Sequence, residues 1–121
     1  MASSFYCSDG EGVDGMSTLY KSLSVVRGLI ANKESWCQHE PIIREKGKPT
    51  KRCLRGAIFA ASLNESDEKS VVESLVAVIG GGNGSSVQNL NRIARYNDTH
   101  SHDDVIALID TAQFISPVGT A

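Results

Sequence analysis

The chain reads as an all-α single domain of about five short helices, with an irregular hairpin between the first two. Three observations predict this. Apolar residues recur at three- and four-residue spacing in separate stretches, Ser, Thr or acidic residues stand where those stretches begin, and Gly or Pro stands near their ends. A length of 121 residues, 40% hydrophobic and 21% charged, provides for one core and is short for two.

Residues 1–15 hold Gly10, Gly12 and Gly15 with Asp9, Glu11 and Asp14, no basic residue and no apolar period. They are expected to form a flexible acidic tail, followed by a helical domain over 16–116 and a C-terminal tail over 117–121. Ser17 or Thr18 can cap a first helix whose apolar positions are Leu19, Leu23, Val26 and Ile30, ending near Asn32. From Trp36 to Pro49, the residues Pro41, Gly47 and Pro49 around Ile42-Ile43 suit a loop or irregular hairpin. Thr50 is then expected to cap a second helix from Lys51 to about Ser62, with Leu54, Ile58 and Ala61 on one face and the small residues Cys53, Ala57 and Ala60 beside them.

Ser66 followed by Asp67 and Glu68 marks a third helix through Val71, Leu75, Val78 and Ile79, stopped at Gly80. After the Gly80–Gly84 turn, Ser85 and Gln88 form a capping box for a fourth helix through Val87, Leu90, Ile93 and Ala94, ending near Tyr96. Ser101 and Asp104 repeat that logic for a fifth, with Val105, Leu108, Ile109 and Ala112 inside and Pro117 barring continuation.

A net charge of −2 argues against generic nucleic-acid binding, which leaves a basic excess over a whole domain. No window approaches the ~18 consecutive apolar residues of a membrane span, and the N-terminus lacks a basic region followed by an apolar run. Cys7, Cys37 and Cys53 are odd in number and irregularly spaced, which suits reduced thiols. A cytoplasmic protein with no membrane partner is therefore expected, and the acceptor-like triplets Asn64-Glu65-Ser66 and Asn97-Asp98-Thr99 are discounted as glycosylation sites.

The order of Ser35-Trp36-Cys37-Gln38, Arg52-Cys53-Leu54-Arg55-Gly56-Ala57, Tyr96-Asn97-Asp98 and His102-Asp103-Asp104-Val105 resembles a family of small uncharacterised proteins from bacteria and their viruses. The resemblance covers roughly residues 19–112. It implies a mainly helical domain and supplies no activity, so function must be argued from the residues.

Two polar constellations carry that argument. From Arg44 to Arg55, six of the 12 basic residues (Arg44, Lys46, Lys48, Lys51, Arg52, Arg55) face only Glu45 in sequence, beside Trp36. Such a patch suits a phosphate-bearing ligand or an acidic protein face, against the plain reading of a solvated loop and helix edge. Trp36 is the natural anchor of a small core or a stacking platform. The stretch Asn97-Asp98-Thr99-His100-Ser101-His102 reads first as a helix entrance, because Asn, Asp, Thr and Ser satisfy exposed N–H groups; that leaves both histidines unexplained.

Cys53, at the third residue after the expected Thr50 cap, would have its thiolate stabilised by helix-end N–H groups and by Lys51, Arg52 and Arg55. With His100 or His102 as base and Asn97 or Asp98 orienting it, a thiol-dependent hydrolase or transferase results; the plain alternative is a buried core cysteine. Cys37, His39, Cys53, His100 and His102 are zinc-type ligands, but their one-residue gaps are poor for a site, and neither metal nor cofactor is expected. The glycine turn lacks the preceding strand and following Gly-Lys-Ser/Thr of a nucleotide loop. The expected role is non-enzymatic: a phage-associated accessory or inhibitor protein of a host macromolecule, meeting a protein partner or small phosphorylated ligand through the basic segment and through Asn97, Asp98 and His102. Self-association of an exposed apolar helix face is a third reading.

Overall fold

A computed structural model describes residues 17–80 and 84–115. The expected tails, Cys7, Pro117 and most of the glycine turn lie outside those residues. Within them, helices α1 (Thr18–Leu29), α2 (Leu54–Ala60), α3 (Glu65–Ile79), α4 (Ser86–Thr99) and α5 (His102–Ile115) enclose one core, as the spacing of apolar residues predicts. A single 3-10 turn (Lys33–Ser35) and two short strands, β1 (Ile42–Ile43) and β2 (Lys51–Arg52), connect α1 to α2.

α3 is the centre of the bundle, packing against α1, α4 and α5. Its Val71, Val72, Leu75 and Val76 meet Leu23, Val26 and Ile30 of the α1 arm, Leu54, Ala57 and Ile58 of α2, Ile93 of α4, and Val105, Leu108, Ile109 and Ala112 of α5, all buried. Each fully buried aliphatic side chain contributes about 1.5–3 kcal/mol relative to exposure. Arg27 and Asp110 add an exposed ion pair at 2.7 Å between α1 and α5.

Caps fix the helix ends. Ser17 accepts from the Tyr20 N–H, Asn64 from Asp67, and Ser85 and Gln88 make the reciprocal box that their spacing predicts. Ser101 and Asp104 likewise bond each other's backbone N–H at 3.1 and 3.4 Å. Gly80, at φ +91°, ends α3 in a conformation that favours glycine.

Four boundaries differ from expectation. α1 ends at Leu29, and Asn64 rather than Ser66 caps α3. Thr50 caps nothing: Lys51 and Arg52 are drawn into an antiparallel pair, Ile42 opposite Arg52 and Ile43 opposite Lys51, while Trp36 bridges Arg52 from the other side. Backbone groups held on both sides by neighbouring chain cannot also start a helix, so α2 begins only at Leu54, with Cys53 as its cap. α4 runs past Tyr96 to Thr99, which moves Asn97, Asp98 and Thr99 from the entrance of α5 to the exit of α4.

Candidate functional site

The residues that carry the family resemblance converge where α4 ends. Asn97 is fully buried there, and its side chain has every hydrogen-bonding direction filled. Oδ1 accepts from Trp36 Nε1 at 2.6 Å and from the Leu54 N–H, the first free donor of α2, at 3.0 Å. Nδ2 donates to the Cys37 carbonyl at 3.0 Å and to Asp98 Oδ1 at 3.2 Å. One side chain thus ties α4 to the hairpin segment and to the start of α2.

Its neighbours complete the clamp. Gln38 Nε2 donates to the Asn97 and His100 carbonyls at 3.1 and 2.9 Å, closing the C-terminal end of α4. Asp98 accepts from the His39 backbone N–H at 2.7 Å, holding that residue at φ +72°, a conformation unusual for a residue with a side chain. Gly56 lets the chain pass: a Cβ there would lie 1.9 Å from the Pro41 carbonyl oxygen, the acceptor of the Cys53 N–H.

Both histidines that capping left unexplained now have work. His102 is buried with Nε2 2.7 Å from the Ile30 carbonyl, so that nitrogen carries a proton and caps the end of α1; its ring leans on Trp36, centroids 5.4 Å apart. His100 stacks on Tyr96 at 3.8 Å and its Nδ1 donates to the Tyr96 carbonyl at 2.9 Å.

Cys53 is buried, and its sulfur accepts from the Gly56 N–H at 3.3 Å as the cap of α2. Cys37, pulled beside Cys53 by the bond from its N–H to the Arg52 carbonyl, donates its S–H to Glu40 O at 3.3 Å. Burial, reinforced by Cys53, pushes the Cys37 thiol up to about 11. Asn97 bonds no histidine, and Asp98 faces His39, with Nδ1 at 3.7 Å, rather than His100 or His102. Among the described residues no three His, Cys, Asp or Glu side chains are grouped to hold a metal ion, and no helix is long and apolar enough to cross a membrane.

The basic segment splits into two parts. Arg44, Lys46 and Lys48 lie exposed around the hairpin, where Gly47 turns the chain at φ +77° and Lys48 pairs with Glu45 at 3.6 Å. Arg44 also reaches, with Arg52, an open groove of about 370 Å³ whose other walls are Pro41, Ile42, Gly56, Phe59 and Ala60. Arg55 lies over the Phe59 ring at 6.0 Å. Phe59 is 50% exposed, and sequence reasoning missed it; the signal was a large apolar residue set off the Leu54–Ile58–Ala61 stripe. Lys51 stands half-buried in β2, apart from this groove.

No curated protein and no solved structure matches the chain. The family described as "Family of unknown function (DUF6197)" matches residues 17–114, the helical bundle together with the clamp and the arginine groove, and the chain belongs to that family.

Proposed function

We propose that this protein is a non-enzymatic binding module that captures an acidic segment of a partner protein in the groove between the hairpin and α2. The carrying observation is that Arg44 and Arg52, with no ion-pair partner among the described residues, flank an apolar groove beside the half-exposed Phe59. Exposed cations usually scatter over hydrated surface. Two guanidinium groups beside proline, isoleucine and phenylalanine supply instead a charged rim and an apolar seat, the composition of a peptide-recognition surface. Arginine suits carboxylate because its planar fork donates two parallel hydrogen bonds.

The clamp serves this surface indirectly. Asn97 and Gln38 fix the hairpin segment and the start of α2 against α4, which keeps both groove walls in register, while His102 of α5 caps α1 and backs Trp36. Asn97, Asp98 and His102 are thus positioning residues in this reading. The setting that fits is an accessory or inhibitor protein, of bacterial or phage origin, acting on a host macromolecule. The thiol-hydrolase alternative lacks comparable support, since the Cys53 sulfur caps α2 and the His102 Nε2 proton is held by Ile30.

Peptide display against the intact chain tests the proposal. Selected peptides should combine Asp or Glu with an aromatic or aliphatic residue, and the Arg44→Ala/Arg52→Ala double variant should bind them at least tenfold more weakly, with the loss growing at low salt. Selection of neutral or basic peptides, or binding indifferent to both arginines, rejects it. Inorganic phosphate displacing the peptides at millimolar concentration would reassign the groove to a small phosphorylated ligand.

A further inference from the structure

A second cleft, away from the arginine groove, lies between α3 and the start of α4. It has a volume of about 430 Å³ and is lined by acidic side chains and one lysine of α3, by the apolar Val72 and Leu90, and by Gly84 and Asn89 at the start of α4. That volume falls in the range of small-molecule sites. Asn89 is 8% exposed, and its Oδ1 is buried with no hydrogen-bond partner among the described residues. A buried acceptor without a partner carries a desolvation cost that a fold discards unless something else uses the group.

We propose that this cleft binds an aliphatic amine or guanidine, with the cationic head on Asn89 Oδ1 and the glutamates and the methylene stem on Val72 and Leu90. The polarity of the site selects this class. Its unsatisfied group is an acceptor, so the missing partner is an N–H or O–H donor. Three carboxylates oppose one ammonium, and none of Glu65, Glu68, Lys69 and Glu73 has an ion-pair partner among the described residues. Glu65 and Glu68 complement the positive end of α3, but Glu73 lies beyond its first turn, where the helix dipole gives an acid no advantage.

An anion fits less well although α4 begins here. The Gln88 N–H is already bonded to Ser85 Oγ and the Ser85 N–H to Gln88 Oε1, so the capping box uses donors that an anion would need. Gly84 matters for access. A Cβ on it would come 3.1 Å from Asn89 Oδ1 and 2.9 Å from Gln88 Oε1, so any side chain there would crowd both the acceptor and the cap. A metal ion is a poorer match, because the described acids are not grouped for one and the apolar floor gives a bare ion nothing to contact.

The test is titration of the full ¹⁵N-labelled chain with agmatine and putrescine, with neutral n-butanol and inorganic phosphate as controls and a capped Gly-Arg-Gly peptide as a further arm. Saturable shifts should cluster at the Asn89 side-chain amide, Val72, Leu90 and Gly84 with the cations only. Glu68→Gln/Glu73→Gln should weaken binding at least tenfold, and Asn89→Leu should abolish it while the chain still melts cooperatively. Peptide binding at the same signals would identify the head group as a side chain of a partner protein; binding of the free amines alone would identify a small metabolite. No saturable shift, an equal response to n-butanol or phosphate, or undiminished binding to Asn89→Leu would each overturn the proposal.

Discussion

Two buried asparagines stand about two turns apart on α4, and they are opposites. Asn97, with no exposed surface, fills every hydrogen-bonding direction with partners from the hairpin segment, α2 and its own helix. Asn89, nearly as buried, offers Nδ2 to the Gly84 carbonyl at a long 3.4 Å and leaves Oδ1 with no partner among the described residues. A satisfied polar network in low dielectric specifies a structure, whereas an unsatisfied one leaves a cost that the fold itself does not recover. The difference separates two kinds of buried polar group: one that builds the domain and one that waits for a ligand.

Replacing Asn97 with leucine of similar volume should break the comparison most violently. Trp36 Nε1, the Leu54 N–H and the Cys37 carbonyl would all lose their partner in a buried setting. At about 1–3 kcal/mol for each stranded group, the loss should be about 4 kcal/mol, a large part of a small domain's stability. Asn97→Asp should cost less only at pH 4, where a protonated carboxyl keeps the acceptor for Trp36 and Leu54 and can donate to the Cys37 carbonyl; ionised, its second oxygen would repel that carbonyl and Asp98. Urea midpoints of the two variants at pH 4 check the ranking, and equal losses would mean that the acceptor side of the clamp carries no special weight.

This contrast was only half legible in the sequence. Helix number, the Ser85–Gln88 box, the Ser101–Asp104 box and the core stripes are local signals, written within a few residues, and they were readable. Asn97 was readable as a polar residue near a helix end but not as a hub, because its partners are 43 to 61 residues away in sequence. The same holds for Lys51-Arg52, which follow a good capping residue and yet form a strand because Trp36 and Ile42 reach them through long-range pairing. His102 looked like chemistry. The end of α1 that it caps was invisible without the fold. Nothing in the local spacing marks Asn89 as unpaired, since a deficit is a property of the surroundings rather than of the residue.

The clamp side has a limit in pH that the comparison exposes. Cys37 lies against the Asn97 network and donates through a neutral thiol, which burial and then Cys53 push up to about 11 from an ordinary 9.0. The folded state therefore holds this proton more tightly than the unfolded chain does. That contribution is complete below pH 9 and is lost as the pH rises toward 11, at most about 1.4 kcal/mol per pH unit and on the order of 3 kcal/mol in all. Tyr96, raised by burial and by Asp104, acts in the same direction, so the native chain alone does not isolate the thiol. Denaturation of Cys37→Ala between pH 8 and 11 does: its stability should fall less steeply than that of the native chain. Parallel curves would assign the alkaline loss to other groups.

The smallest effect is the sharpest, because its sign is reversed. Asn89→Leu is the same change as Asn97→Leu, on the same helix and at nearly the same burial, but here it removes an acceptor that has no partner among the described residues. What is lost is a weak bond to the Gly84 carbonyl, on a half-exposed residue where water can substitute. What is gained is apolar contact beside Val72 and Leu90 and relief of the stranded oxygen, so the variant should be more stable than the native chain by about 1 kcal/mol. Thermal melts of the ligand-free proteins measure this directly. A loss as large as that of Asn97→Leu would show that Oδ1 of Asn89 is satisfied in solution, and the distinction between a structural asparagine and a waiting one would collapse.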